Sequence, residues 1–241
     1  MSKINTNTNG YTILFLVLMV IVVGGVLATV SSLAQPIIDK NVELDNKSKI
    51  LASVKFEGEG QEVLTEYNDK IKAIAVNSEG KILKGVDGYS IKLKNEYKKP
   101  LEERQLPVFI YSKGKQKNYI LPLIGLGLWD EVNGYVAFNR DLRTLKGAAF
   151  DHVGETPGLG SLITEPKFED QFNDAIVYTK EKEYVLKVWK QGKSPGGKSN
   201  IDGLAGATLT TDGMENMLSN CIPNYESYFK TLKTKKKKKT K

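Results

Sequence analysis

The longest apolar run of the chain covers residues 11–30, which contain no charged side chain. Twenty helical residues extend about 30 Å, the thickness of the hydrocarbon layer of a bilayer. The small-x-small pattern of Ser32-Leu33-Ala34 also fits a cleaved signal peptide. We favour a retained membrane anchor, because the run is longer than the apolar core of a signal peptide. Pro36 is expected to end this helix.

After Pro36 the spacing of apolar residues predicts two further helical stretches, at 37–53 and 61–70. Alternating or short apolar runs then predict strands. They lie at residues 71–76, 81–86, 108–111, 117–124, 134–139, 177–179 and 184–189. Strands in runs, with helices at the ends, indicate an α+β domain with a curved, mainly antiparallel sheet and flanking helices.

The segment from Ile201 to Gly213 reads I-D-G-L-A-G-A-T-L-T-T-D-G and is rich in glycine and threonine. Asp212 and Glu215 have capping-box spacing, so we predict that a helix begins at Asp212. Thr208 would then lie on a loop just ahead of a helix N-terminus, where backbone N–H groups and the helix dipole favour a phosphate. Glycine punctuation chiefly marks turns, so a plain turn remains the more frequent explanation of the spacing alone.

Three other segments combine glycine with chemically useful side chains. Residues 125–130 place Trp129 after a predicted strand, and residues 154–160 place Glu155, Thr156 and Leu159 around a turn stiffened by proline. The glycine spacing matches neither a dinucleotide-binding fingerprint nor a phosphate-binding P-loop. Lys190 belongs to a basic, glycine-rich connector. A core tryptophan, a structured loop and a solvated lysine remain open as explanations of these three segments.

The charge distribution argues against nucleic-acid binding. The net charge is +7, and seven of the residues from Lys233 to Lys241 are lysines, so the rest of the chain is near neutral. We predict a disordered lysine-rich tail, with contact to anionic membrane lipid as a minor role. One cysteine, Cys221, and one histidine, His152, exclude an internal disulfide and argue against a metal site and against hydrolytic catalysis. We therefore expect no metal and no catalytic residue.

Residues 202–208, D-G-L-A-G-A-T, resemble the flavin-attachment motif of the periplasmic FMN-binding domain family, Asp-x-x-Ser/Thr-Gly-Ala-Thr. In that family FMN is joined by a phosphoester bond to the hydroxyl of the last threonine. The resemblance implies FMN covalently attached to Thr208, with Asp202, Gly206 and Ala207 as parts of the binding motif. Ala205 departs from the pattern, because it stands where the family usually has serine or threonine.

The order of G-L-G-L-W, H-V-G-E-T-P-G-L-G and D-G-L-A-G-A-T behind one apolar helix is similar to the NqrC family, the C subunits of the sodium-translocating NADH:quinone oxidoreductases. This resemblance implies an electron-carrying component of a membrane complex that oxidises NADH, reduces quinone and exports sodium. It also implies that the isoalloxazine ring is lined by Trp129, Glu155, Thr156 and Leu159, with Lys190 as a weaker candidate. Asp202 would serve the transfer of the flavin onto the chain.

The implied partners are the other subunits of the complex and a periplasmic flavin transferase. The implied location is the bacterial inner membrane, crossed once, with the flavin domain on the periplasmic side; the flanking charges do not decide the orientation. We expect an anchor at 1–34, a helical connector at 35–75, an FMN-binding domain at 76–228 and a tail at 229–241.

Three alternatives remain. The first is RnfG, which is the corresponding component of the related Rnf ferredoxin:NAD oxidoreductase complex. The second is a membrane-anchored flavin-binding regulator, and the third is an interaction domain with an unmodified Thr208. Finding flavin on the chain would exclude the last of these.

Overall fold

The structure, a computed structural model, describes residues 8–239, and for residues 235–239 it describes the backbone alone. Residues 1–7 of the predicted anchor and residues 240–241 of the predicted tail lie outside this range. The helices are α1 (Asn9–Ala52), α2 (Gln61–Lys70), α3 (Leu93–Glu96), α4 (Pro166–Glu169), α5 (Thr208–Cys221) and α6 (Glu226–Lys239). The strands are β1 (Ile71–Val76), β2 (Leu106–Lys113), β3 (Gln116–Leu126), β4 (Glu131–Phe138), β5 (Leu145–His152), β6 (Lys187–Trp189) and β7 (Asn200–Asp202).

Helix α1 contains one span that is long and apolar enough to cross a membrane, by length and composition. The expectation that Pro36 ends this helix is wrong, because Pro36 lies inside α1. Proline removes one backbone hydrogen bond, but a long apolar helix tolerates that loss. The chain divides into two compact units between Asn46 and Lys47, whereas the pattern of residues suggested boundaries after residues 34 and 75.

Strands β1 to β5 form one antiparallel sheet in the order in which they occur along the chain. Each strand pairs with the strand that follows it along the chain, as in the register between β3 and β4, where Leu123 lies opposite Gly134. A β-bulge at Ala137 and Phe138 shifts the register between β4 and β5. The predicted α+β class with an antiparallel sheet and flanking helices is confirmed.

Several predicted strands differ from the structure. Residues 81–86 form only a single bridge, Ile82 to Val76, and residues 177–179 meet the late segment only through the bridge from Tyr178 to Tyr184. The true partner of β6 is the parallel strand β7. The residue pattern did not predict β5, because its Gly-Ala-Ala centre lacks the β-branched side chains typical of strands.

Helix α5 packs closely on the end of β3. A Cβ atom added to Gly125 would lie 2.7 Å from Cβ of Met217, and one added to Gly213 would run into the carbonyl oxygen of Leu126. Glycine at both positions therefore lets the helix and the strand approach each other. This packing brings the first turn of α5 beside the loop that follows β3.

Helix α6 covers one end of the hydrophobic core, where Phe229 is buried and Leu232 packs against the core residues. The tail was expected to begin at residue 229, whereas α6 continues to Lys239. Two apolar residues in this stretch supply the burial that a run of lysines alone lacks.

Candidate functional site

The motif segment joins β7 to α5, and the helix begins earlier than predicted. Ala207 occupies the N-cap position without a side-chain hydrogen bond, and the backbone N–H of Thr211 donates to the carbonyl of Ala207 at 2.9 Å. The predicted start at Asp212 is therefore wrong, and Asp212 lies within the second turn. Glu215 is not a capping residue; its carboxylate accepts from the backbone N–H of Val188 at 2.5 Å.

Thr208 is the first residue of α5, and it is exposed. The N–H groups of a first helical turn have no partner inside the helix, and the N-cap side chain here supplies none. The helix dipole adds partial positive charge at the same end. The hydroxyl of Thr208 therefore stands at a place that favours a covalently attached phosphate.

Glu155 is the buried centre of the site, with 4% of its surface exposed. Its Oε2 accepts from the hydroxyl of Thr210 at 2.6 Å, and its Oε1 accepts from the backbone N–H of Trp129 at 3.0 Å. Its own backbone N–H donates to Nδ1 of His152 at 3.3 Å. One carboxylate thus joins the β3–β4 turn, the loop after β5 and the first turn of α5.

The hydrogen bonds to Glu155 decide its ionisation. Burial by itself raises the pKa of this carboxyl, but the hydroxyl of Thr210 and the backbone N–H groups of Trp129, Leu128 and Asp130 outweigh burial. The net pKa lies below the ordinary value, because these donors stabilise the charged form. Glu155 is therefore ionised and holds its donors at neutral pH.

The rim of the site is apolar and open. Trp129 is 69% exposed, and its indole N–H donates to Oγ1 of Thr156 at 3.1 Å. Leu159 is 41% exposed, and a Cβ atom added to Gly206 would lie 3.0 Å from its Cδ2 atom. Gly206 has φ of 68°, a backbone conformation that suits glycine. Leu128 and Leu209 add two more exposed apolar side chains.

Asp202 lies at the end of β7, on the other side of the motif. Its Oδ1 accepts from the backbone N–H of Gly192 at 2.8 Å, and the side chain of Gln171 binds both its backbone N–H and its carbonyl. A cleft adjoins this residue, lined among others by Leu162, Phe168, Gln171, Gln191 and Leu204. These contacts hold the start of the motif in place.

The structure brings most of the expected residues together and leaves two apart, Asp202, whose contacts are with Gly192 and Gln171, and Lys190. Trp129, Glu155 and Thr156 share hydrogen bonds, and Leu159 contacts the loop that contains Gly206 and Ala207. Lys190 is exposed beyond the end of β6, and in the part of the chain described here no hydrogen bond or ion pair joins its side chain to these residues.

Thr210 was not predicted to be a site residue, although the sequence showed a cluster of hydroxyls around it. Thr210 is 1% exposed and binds Glu155. Residues two positions apart lie on opposite sides of an α-helix, so helical spacing predicts that Thr210 is buried where Thr208 is exposed. That prediction requires the start of α5 to be known. Gly127 and Gly160 were likewise not predicted, and both lie against the oxygens of Glu155.

The residues present fit an FMN group. The uncapped helix N-terminus beside Thr208 suits the phosphate. The exposed rings and chains of Trp129, Leu159 and Leu209 suit a flat aromatic ring system. Gly206, which has no side chain, leaves the approach to the motif open.

Comparison with known proteins agrees with this fit. A family model described as the FMN-binding domain matches residues 127–223. The crystal structure of the C subunit of the Na(+)-translocating NADH-quinone reductase from Parabacteroides distasonis is 33% identical to this chain, with a TM-score of 0.73. It aligns with 80% of this chain and 96% of its own. This chain belongs to the NqrC family, the C subunits of the Na(+)-translocating NADH-quinone reductases.

Other NqrC proteins resemble it over different lengths. The protein from Haemophilus ducreyi is 27% identical over 90% of both chains, and the one from Pseudomonas aeruginosa is 36% identical over 48% of this chain and 46% of its own. The crystal structure of Shewanella oneidensis NqrC, at 22% identity and a TM-score of 0.69, supports the fold alone. The resemblance to the NqrC family that the motifs indicated is confirmed.

Proposed function

We propose that this NqrC homologue carries FMN in a phosphoester bond to Thr208 and transfers electrons within a membrane complex that oxidises NADH, reduces quinone and exports sodium. The observation that carries the proposal is the position of Thr208. It is an exposed hydroxyl on the first turn of an uncapped helix, and Glu155 ties that turn to the exposed Trp129.

The residues of the chain would hold the cofactor rather than perform chemistry themselves. When bound, FMN supplies the ability to accept and release electrons. The N–H groups of the first turn of α5 would bind the phosphate, and the Thr208 oxygen would carry the ester bond. Trp129, Thr156 and Leu159 shield the ring from water, while Glu155 supports them from beneath.

The remaining expectations for the site enter the proposal in the same way. Asp202 has one carboxylate oxygen bound by Gly192 and presents the start of the motif at the protein surface, where a flavin transferase can read it. Gly206 and Ala207 shape the turn before Thr208. Lys190 lies apart from the other site residues, and its long side chain would have to move to bring its ammonium group near the flavin ring.

Location and partners follow from the same family. We propose that α1 anchors the chain in the bacterial inner membrane by a single crossing, with the flavin domain on the periplasmic side. The partners are the other subunits of the complex, a periplasmic flavin transferase and, at the lysine-rich end, anionic lipid. The relatives described above are all C subunits of the quinone reductase, which favours this assignment over RnfG and over a regulator.

The test is the mass of the chain purified from its own membranes under denaturing conditions, followed by peptide mapping. We expect an added mass equal to FMN minus water on the peptide that contains Thr208. The variant Thr208→Val should lose this mass and the flavin fluorescence of the denatured band. The control Thr65→Val removes another exposed helical threonine hydroxyl, on α2, and should keep both. An unmodified wild-type Thr208 contradicts the proposal.

A further inference from the structure

We infer that Thr210 is a positioning residue for flavin attachment, because its bond to Glu155 sets the rotation of α5 that presents Thr208. The inference rests on the proposed function. Thr210 does not touch the reacting oxygen. It acts through the helix on which both threonines lie.

Helical phase links the two threonines. An α-helix turns by about 100° per residue, so two residues that are two positions apart differ in direction by about 200°. Thr210 is 1% exposed and points inward to Glu155, and Thr208 is accordingly exposed on the opposite side. A rotation of the first turn that released Thr210 would carry the hydroxyl of Thr208 away from its present position.

Glu155, the partner of Thr210, is itself held firmly. Its Oε1 accepts from the backbone N–H of Trp129, and its backbone N–H donates to His152. Both carboxylate oxygens are occupied by donors of the protein, and 4% of the residue is exposed. Glu155 therefore acts as a fixed support between α5 and the Trp129 turn, rather than as an acid or base toward a ligand.

Two glycines leave the room that this pair requires. A Cβ atom added to Gly160 would run into Oε2 of Glu155 and lie 2.6 Å from Oγ1 of Thr210. A Cβ atom added to Gly127 would run into Oε1 of Glu155. Side chains at these two positions would force apart the groups that the hydrogen bonds bring together, and glycine avoids this.

The consequence concerns attachment and the environment of the flavin. Reacting groups that are misplaced by about 1 Å can lose two orders of magnitude in rate. A loosened first turn should therefore slow the esterification of Thr208. In this step the Thr208 oxygen loses its proton and attacks the flavin-side phosphorus of a flavin dinucleotide, and the phosphoanhydride bond breaks to release a nucleoside monophosphate. The loosened turn should also leave the attached flavin less rigidly held against the rim.

The direct test compares Thr210→Val with Thr210→Ser in the full chain, expressed in its own host. Valine keeps the shape and removes the hydroxyl, while serine restores the donor. We expect the rate at which new chains gain the FMN mass to fall about tenfold in Thr210→Val and to recover to within about twofold in Thr210→Ser. The visible circular dichroism of the flavin in the modified fraction should weaken in the valine variant alone.

A second pair of variants approaches the same contact from the facing loop. Gly160→Ala places a methyl group between Glu155 and Thr210, so it should reproduce the slow attachment seen with Thr210→Val. Gly154→Ala is the matched control in the same loop, since its added Cβ atom would meet only Cβ of Asp130, at 3.7 Å. It should leave attachment unchanged. This pair tests the inference even if Thr210→Val folds poorly.

The outcomes separate this inference from the proposed function. Wild-type attachment together with normal attachment and dichroism in both Thr210→Val and Gly160→Ala overturns the inference and leaves the proposed function intact. A wild-type chain without FMN overturns both. Failure of serine to restore attachment also contradicts the inference, because it would show that the hydroxyl is not what matters.

Discussion

Glu155, in the loop after β5, and Glu169, the last residue of α4, have environments that shift the pKa values of their carboxyl groups in opposite directions. Burial raises the pKa of Glu169 to about 7, against one backbone N–H, from Phe150 at 2.6 Å, that lowers it. Burial also acts on the pKa of Glu155, but a hydroxyl and several backbone N–H groups outweigh it. The two carboxyls differ both in the effect of burial, which is stronger on Glu169, and in the number of hydrogen-bond donors, which is larger for Glu155.

A negative charge consequently has a different effect at each of these two glutamates. The charged carboxylate of Glu155 joins three segments of the chain beneath the exposed rim. The hydrogen bonds that it accepts stabilise its ionised form. Around Glu169 the carboxyl accepts from a strand amide near the buried rings of Phe168 and Phe172, where the charged form is poorly solvated. The same substitution at both positions should separate these roles.

Glu155→Gln should have the largest effect on stability. The amide NH₂ group cannot accept a hydrogen bond, so at least one buried donor loses its partner. We expect the free energy of unfolding to fall by about 2 kcal/mol at neutral pH, measured by urea denaturation. The exposed control Glu59→Gln should change it little.

The pH dependence of this loss gives a second check. The pKa of Glu155 in the fold lies below 4.5, so its stabilisation is present above that pH and is lost as the pH falls through the lowered pKa. The difference between wild type and Glu155→Gln should therefore be constant near neutral pH and shrink in acid. A difference that grows in acid would contradict the assigned ionisation.

Glu169→Gln should have a smaller effect of opposite sign. Because the folded pKa is raised from 4.5 to about 7, the wild-type fold binds the proton more tightly than the unfolded chain. That stabilisation is fully present below pH 4.5 and is lost as the pH rises toward 7. Glutamine keeps an acceptor for Phe150 without the charge, so at pH about 8 we expect it to stabilise the fold by about 1 kcal/mol.

Urea denaturation across this pH range measures the effect, and Glu102→Gln, an exposed carboxyl that does not act on the pKa of Glu169, is the control. A flat profile in wild type, or a destabilised Glu169→Gln at alkaline pH, would show that the Glu169 carboxyl is better solvated than its surroundings indicate.

Trp129→Phe should have the smallest effect on stability. The ring is mostly exposed and its one hydrogen bond, to Thr156, lies at the surface. We expect a change below about 0.5 kcal/mol in unfolding, together with altered visible circular dichroism of the bound flavin. The matched variant Trp189→Phe loses a bond to Asn200 at 2.8 Å in a half-buried setting and should cost about 1 kcal/mol. A larger loss of stability in Trp129→Phe than in Trp189→Phe would contradict the interpretation that Trp129 lies on the rim of the site and contributes little to the stability of the fold.

Local patterns were sufficient for α1, α2 and the first four strands of the sheet. The apolar run of α1 and the alternating or short apolar runs of β1, β2, β3 and β4 are properties of neighbouring residues, so they can be identified from the sequence. The motif at 202–208 was likewise visible, because its glycines, its alanine at 207 and its threonine are contiguous. Its identification came from resemblance, since spacing alone predicts only a turn.

The arrangement of the site depended on contacts between distant segments. Residues 155 and 210 are far apart in sequence, and only the packing of α5 on β3 brings the hydroxyl to the carboxylate. In that packing α5 begins at Thr208, so Asp212 lies inside the helix and not at its N-terminus as predicted. The capping signal at Asp212 did not predict this start, because tertiary burial contributes more to the stability of a helix than a single cap does.

The opposite pKa shifts of Glu155 and Glu169 could likewise not be predicted from the order of residues. Glu155 lies in the loop after β5 and Glu169 is the last residue of α4. Nothing nearby in sequence specifies how many N–H groups will converge on either carboxyl. Hydrogen-bond donors from other segments set the charge of a buried group. The chain thus encodes its elements and its attachment motif locally, while the support beneath that motif exists only once the sheet and α5 have come together.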